Sequence, residues 1–276
     1  MIKSCSDTEE FLADFLDRSP ANAVPPEKAR RPEYAGIRFF DAPIAGCAAA
    51  DDAVLRSLAR NEAAGIDLKQ PEEWLPGAKS VISFFLPFTE RIRSDNAASP
   101  VPTDLWQQGR ITGQECLVET VRALAEKLRA DGHEAVTPVG DSLLTVYMPK
   151  PDAPPAPAYT SNWSERHIAY AAGLGTFGLS RGLITKKGTA GRFASVVTTL
   201  AVEPTPRAYT GLTDWCTMCG ACAKRCPSGA IDKMAGKSNE TCNAYLKSTR
   251  SEDGVFYGCG QCQCGVPCES TAPGMG

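Results

Sequence analysis

Four cysteines, Cys216, Cys219, Cys222 and Cys226, with Pro227 directly behind the last, constrain this chain more than any other feature. In the spacing C-x2-C-x2-C-x3-C-P, three closely spaced thiolates take three irons of one cubane, while the fourth ligates a different cluster. Zinc sites pair two C-x2-C elements and need neither a third cysteine at this spacing nor the trailing proline. Because Cys226 alone cannot hold a cluster, a second set is required, and Cys242, Cys259, Cys262 and Cys268 supply it. Crossing the two sets assigns Cys216, Cys219, Cys222 and Cys268 to one [4Fe-4S] cluster. Cys226, Cys242, Cys259 and Cys262 then hold the other. The open point is Cys264 against Cys268. Cys268 follows Pro267 and is favoured as the residue the returning chain can present, leaving Cys264 as a small buried thiol.

Three of the 12 cysteines, Cys5, Cys47 and Cys116, stand outside this cluster and read as small hydrophobes. The opening MIKSCSDTEEFLADF is acidic and amphipathic, unlike a signal peptide, so the expected compartment is the cytoplasm, where clustered thiols ligate metal. Lys and Arg number 29 against 32 Asp and Glu, a net charge of -3 that argues against a dedicated polyanion binder. The longest apolar stretches, such as Val81 to Pro87, fall far short of the ~20 residues that cross a bilayer.

Across the 276 residues, helices and strands alternate ahead of the cysteine segment. Ser6 to Glu9 has a capping-box pattern leading into Phe11, Leu12, Phe15 and Leu16 at helical spacing. Arg18 to Pro32 reads as a surface connector. Helices are expected over 51–61, 114–130 and 165–172, and strands over 79–88, 135–138, 143–147, 183–185 and 193–202. The last two strands flank the turn KKGTAGR and read as a hairpin. Unbroken apolarity over 79–88 points to a strand covered on both faces. Five prolines in 149–157 exclude regular structure there, making it a stiff crossing that leads to Tyr159. This pattern gives an α/β or α+β core up to a boundary near 204–211.

The core offers few familiar catalytic motifs. Gly173, Gly175 and Gly178 match G-x-G-x-x-G, but a helical pattern precedes them and Thr198 stands where a ribose-binding acid belongs. They read instead as glycines that turn the chain after a helix or let backbone lie against a large planar ligand. His133 and His167 are the only histidines, which excludes a histidine-rich metal site. No P-loop or zincin motif is present.

The stretches PEEWLPGAKSVISF (71–84), SERHIAYAAGLGTFG (164–178), CTMCGACAKRCPSGAI and YGCGQCQCGVPCES resemble epoxyqueuosine reductases, a family related to reductive dehalogenases. The resemblance spans most of residues 34–270. Behind an N-terminal helix and connector (1–33), it implies a nitroreductase-like α/β (α+β) core that binds cobalamin (34–208) and a two-[4Fe-4S] ferredoxin-like domain (209–276). By the same resemblance the clusters, fed by an external ferredoxin or flavodoxin, reduce a base-off cobalamin that cleaves a small-molecule or modified-nucleoside substrate. The family's proton-donating acid, six residues before Glu165-Arg166, falls at Tyr159, the residue type the dehalogenases use. Arg166 becomes its pKa-lowering neighbour, and His167, Gly173, Gly175 and Gly178 become contacts for the corrin. Two further departures stand out. Five residues separate Cys262 from Cys268 where the family has three, and a helical-repeat tRNA domain has no counterpart in this sequence. With the net charge of -3, the latter weighs against tRNA binding. The alternative class is a non-catalytic electron carrier or an activator of a corrinoid protein, for which a core of this size is superfluous.

Overall fold

The computed structural model describes residues 1–58, 68–147 and 160–275. Along the chain run α1 (Cys5–Arg18), β1 (Ile44–Ala49), α2 (Ala53–Leu58), α3 (Pro71–Trp74), β2 (Ser80–Pro87), α4 (Glu90–Ala97) and α5 (Asp104–Ala130). Next come β3 (Ala135–Val136), β4 (Val146–Tyr147), β5 (Thr160–Ser161), α6 (Glu165–Ala171), β6 (Gly175–Phe177), β7 (Leu183–Thr185) and β8 (Gly191–Thr198). The cysteine segment adds only α7 (Ala221–Lys224), β9 (Ile231–Asp232), β10 (Gly236–Lys237) and α8 (Asn239–Ser248). No described helix is long and apolar enough to cross a membrane.

The central sheet has the order β1-β2-β8-β3, and every pair in it is antiparallel. β2 is buried at all eight positions, which explains a sequence, SVISFFLP, that is apolar apart from Ser80 and Ser83. Its side chains alternate between two layers, as the two-residue period of a strand demands. Ile82, Phe84 and Leu86 pack with Leu12 and Leu16 of α1 and with Leu117, Val121 and Leu124 of α5. On the opposite face Val81 joins Trp163, Ile168 and Ala171 from α6 and its approach. Each fully buried Leu or Phe contributes about 1.5–3 kcal/mol relative to exposure, so this sandwich is the main source of stability.

Several expectations are corrected. The α1 capping box uses Ser4 and Asp7 rather than Ser6 and Glu9; Ser4 accepts from the Asp7 N–H and the Asp7 carboxylate accepts from the Ser4 N–H. The 183–185 and 193–202 strands do not form a hairpin. β7 pairs with β6, whereas β8 enters the central sheet between β2 and β3. The reason is local: Gly188, at φ +79°, closes a tight turn on Thr185 and frees the following residues to change partner. β1 and α4 had no clear signal, since IAGCAA lacks alternation and ERIRSDNA is largely polar. α5 begins at Asp104, ten residues earlier than its apolar stripe indicated, because Thr103 caps it there. Cys5 and Cys47 are not separate apolar thiols; they form a disulfide between α1 and β1, beside the Thr205 hydroxyl. The prolines of 149–157 lie outside the described residues, as does Tyr159.

The cysteine segment has little regular structure and is held by the sheet layer. The Thr189 N–H donates to the carbonyls of Cys268 (3.0 Å) and Glu269 (3.2 Å), and the Ala190 N–H to that of Glu269 (3.2 Å). Arg93 and Glu269 form a largely buried ion pair at 2.9 Å. Buried Gln261 donates to the Asn96 and Val101 carbonyls, and Asn96 donates to that of Cys259. Trp215, Cys216 and Cys268 share an apolar cluster with Tyr170, Leu174 and Ile184.

A Cβ placed on Gly188 would stand 2.2 Å from the Glu269 carbonyl oxygen, and its φ is left-handed. Gly188→Ala is expected to cost about 1–3 kcal/mol from backbone conformation alone and to loosen the 264–270 segment. Faster cleavage there in limited proteolysis, with α1 to α5 still protected, is the expected readout; unchanged protection refutes it.

Candidate metal centres and the adjoining cleft

The first cysteine set is built by a loop, a short helix and the returning chain. Gly220, at φ +77°, starts α7 and so turns Cys222 toward Cys216 and Cys219. Cys268 arrives on the segment pinned to Thr189. Together Cys216, Cys219, Cys222 and Cys268 line one small cavity. The remaining wall is Gly178, Leu179, Ile184, Met218, Val266 and other uncharged residues. Cys219 is exposed, and Met218 beside it is an exposed apolar side chain.

Cys226, Cys242, Cys259 and Cys262 line a second cavity of about 930 Å³, open to solvent. Arg110, Arg166, Arg192 and Lys237 also line it. Cys264 lines neither cavity. It is fully buried in the main core, with Asn96 as a polar neighbour, and burial pushes its thiol far up. Burial, reinforced by neighbouring cysteines, also pushes Cys222 to about 11 and Cys259 and Cys268 to about 12. Crowded thiols that resist ionisation are the environment in which a cationic metal cluster is the natural counter-charge. Among the described residues no three His, Cys, Asp or Glu side chains converge as closely as one metal ion requires. A cubane is wider than one ion, so its four thiolates stand further apart, and the donor chemistry of both cavities fits it.

Beside the second cavity lies a cleft of about 880 Å³ whose lining includes Trp163, Glu165, Leu183, Thr189, Phe193 and Gln114. The cleft and the second cavity share Arg166, Gly191, Arg192 and Gln263 as a common wall. Only six buried side-chain polar atoms among the described residues lack a hydrogen-bond partner, and three belong to the cleft: Glu165 Oε1, Thr189 Oγ1 and Arg192 Nε. Unpaired buried polar atoms are costly, so their concentration on one concave surface points to a polar ligand there.

Glu165 opens α6. Trp163 Nε1–H donates to Ser195 Oγ (2.9 Å), and that hydroxyl donates to Glu165 Oε2 (2.7 Å). Burial pushes the Glu165 carboxyl up to about 8, against the Ser195 hydrogen bond that lowers it. Arg192 donates to the Arg110 carbonyl (2.9 Å) and to Gln114, and burial next to Arg110 lowers it to about 10. Arg166 donates to the Arg181 carbonyl (2.8 Å). It is open to water in the cleft yet walled by protein, and desolvation lowers it while Cys262 and Cys242 oppose that.

The other expected contacts lie elsewhere. His167 Nδ1 is 2.7 Å from Ser164 Oγ and its ring packs at a tilt against Phe177; burial lowers it to about 4, so it is neutral. The space over Gly173 is filled by Thr205, over Gly175 by the Ile184 carbonyl and over Gly178 by the Ile184 side chain. Gly178 lines the first cysteine cavity, and His167, Gly173 and Gly175 line neither cavity nor cleft. These glycines therefore close the α6–β6–β7 packing. Tyr159 lies outside the described residues. Glu165, Ser195 and Arg192 were not singled out from sequence. A lone arginine inside the apolar strand GRFASVVT was the available signal.

Residues 212–232 match the family model described as "4Fe-4S binding domain". No curated protein sequence matches the chain closely enough to count as a relative. Among solved structures, an epoxyqueuosine reductase from Bacillus subtilis aligns with a TM-score of 0.51 at 19% identity, covering 84% of this chain and 62% of that one. An epoxyqueuosine reductase bound to an epoxyqueuosine-modified tRNA stem loop aligns at 0.52 and 20%, with the same coverage. A catabolic reductive dehalogenase in complex with 3-bromo-4-hydroxybenzoic acid aligns at 0.52 and 15%, covering 98% of this chain and 37% of that one. The chain thus shares their fold and spans about 62% of the reductases' length.

Because the unfolded chain gives up the Glu165 proton first, this group lowers stability as pH rises from the ordinary carboxylate range to about 8. In infrared spectra a carboxylic C=O band, absent from Glu165→Gln, is expected at neutral pH and should fade as pH passes about 8. Loss of that band in the ordinary carboxylate range refutes the protonated state.

Proposed function

We propose that this chain is an iron–sulfur oxidoreductase that carries two [4Fe-4S] clusters and delivers their electrons to a cobalamin seated in the adjoining cleft, for reductive cleavage of a substrate. The observation that carries the reading is the shared wall: the cavity of Cys226, Cys242, Cys259 and Cys262 abuts the cleft through Arg166, Gly191, Arg192 and Gln263. A relay that ended in solvent would need no such neighbour. The 4Fe-4S match over 212–232 and the fold shared with reductases support the same conclusion.

In this reading Cys216, Cys219, Cys222 and Cys268 hold the cluster that receives electrons, at the exposed Cys219 and Met218 surface where an external ferredoxin or flavodoxin would dock. The second set holds the cluster nearest the cleft. Base-off cobalamin supplies a low-valent metal centre able to break a substrate bond reductively. The chain's own residues position, exclude water and move protons. Glu165 Oε1, Thr189 Oγ1 and Arg192 Nε offer hydrogen bonds to the amide-fringed macrocycle. Trp163 and Phe193 close apolar sides of the cleft. Tyr159, protonated at neutral pH, is the proton donor that the resemblance assigns, with Arg166 easing loss of its proton. A tRNA stem loop is bound by one structural neighbour. With a net charge of -3, a small molecule or a modified nucleoside is the substrate class proposed here.

Anaerobically reconstituted protein is expected to hold close to eight irons, since two four-thiolate sets are available. Cys268→Ser should bleach one cluster, while Cys264→Ser leaves iron content unchanged. An iron count near four refutes the two-cluster model, and the reverse pattern exchanges the two ligands.

Titrating cobalamin into the reconstituted protein should give the base-off absorbance spectrum. Tyr159→Phe should keep that binding and lower turnover by roughly 10²-fold or more, the scale of a lost general acid. Intact clusters without cobalamin binding at tens of micromolar would establish an electron carrier instead.

A further inference from the structure

The two cysteine sites differ sharply in charge. The first cavity is walled by Gly178, Leu179, Ile184, Val266 and similar uncharged residues around the four sulfurs, with one cation, Lys233, packed over Gly220 behind that wall. The second carries Arg110, Arg166, Arg192 and Lys237, and no carboxylate. None of these four cations is in an ion pair with an acid among the described residues. Lys237, on β10, is the foremost charge acting on Cys262, and Arg166 acts on both Cys262 and Cys242.

Hydrogen bonding runs the same way. The Cys226 sulfur lies 3.4 Å from Ser228 Oγ and also faces the backbone N–H groups of Ser228, Ala230 and Ile231. Cys222 in the first set receives a backbone hydrogen bond from Ala223. Reducing a cubane adds one negative charge to an already anionic thiolate assembly. Nearby cations and N–H donors stabilise that added charge, and an apolar wall does not. Water at the exposed Cys219 works in the opposite direction, over one of four thiolates.

We infer that Lys237 and the arginine wall hold the cluster of Cys226, Cys242, Cys259 and Cys262 at a more positive potential than the cluster of Cys216, Cys219, Cys222 and Cys268, and so set electron flow from the exposed site toward the cleft. This rests on the two-cluster reading above. Lys237 is a positioning residue for charge, half-buried at the rim of the cavity, and its removal leaves all eight cysteines in place.

The test is an EPR-monitored redox titration of the fully loaded protein, without substrate. Wild type should show two resolved reduction steps. Lys237→Met should move the more positive step to lower potential and leave the other in place, and Lys237→Arg should restore it. Arg166→Met should shift the same step in the same direction. Two steps that both ignore Lys237 and Arg166, or a shift confined to the more negative step, overturn the inference and leave the two-cluster reading intact. A single step with half the expected iron overturns both.

Discussion

Backbone hydrogen bonds from Thr189 and Ala190 to the carbonyls of Cys268 and Glu269 are where the iron–sulfur segment meets the core. The segment from 209 onward has short helices, two-residue strands and little apolar core of its own, so its shape depends on what it is pinned to. The pin is reinforced by the Arg93–Glu269 ion pair and by Gln261 reaching Asn96 and Val101. With the returning chain fixed, Cys268 faces Cys216, Cys219 and Cys222, while Cys262 faces Cys226 and Cys242. The grouping of these cysteines into two cavities is thus a consequence of docking as much as of the cysteine spacing.

The same junction shapes the cleft. β8 contributes Gly191, Arg192, Phe193 and Ser195, and α6 contributes Glu165 and Arg166. Both elements belong to the sheet layer whose burial stabilises the fold. Rigid support of this kind lets costly groups persist, here a carboxyl with one unpartnered oxygen and guanidiniums without acids. A neutral Glu165 beside cationic Arg192 is a surface suited to hydrogen-bonding an uncharged polar ligand while leaving the positive field to the neighbouring cysteine cavity.

Only patterns that are local in the chain are legible in its sequence. The buried strand 80–87, the helix from Glu165 and the strand 183–185 follow from periodicity that the observed packing explains. The expected hairpin failed because strand pairing is decided by where chains meet. Residues 183–185 have the same apolar character whether they pair with β8 or with β6. The Cys5–Cys47 disulfide was hidden for the same reason, since 42 residues separate its halves and only the packing of α1 on β1 unites them.

By itself the sequence determined the chemistry of the cysteine segment, because thiol spacing of two and three residues is set by local chain geometry. It also determined that the core would mix helices with strands around an apolar strand. The tertiary structure decided where the last two cysteines lie: Cys264 is sealed in the main core and Cys268 lines the first cavity. It decided that Gly173, Gly175 and Gly178 serve packing, since the atoms over them come from Thr205 and Ile184. And it decided where the charges gather. Arg110 on α5, Arg166 on α6, Arg192 on β8 and Lys237 on β10 are far apart along the chain, and only tertiary packing places them around the same four sulfurs.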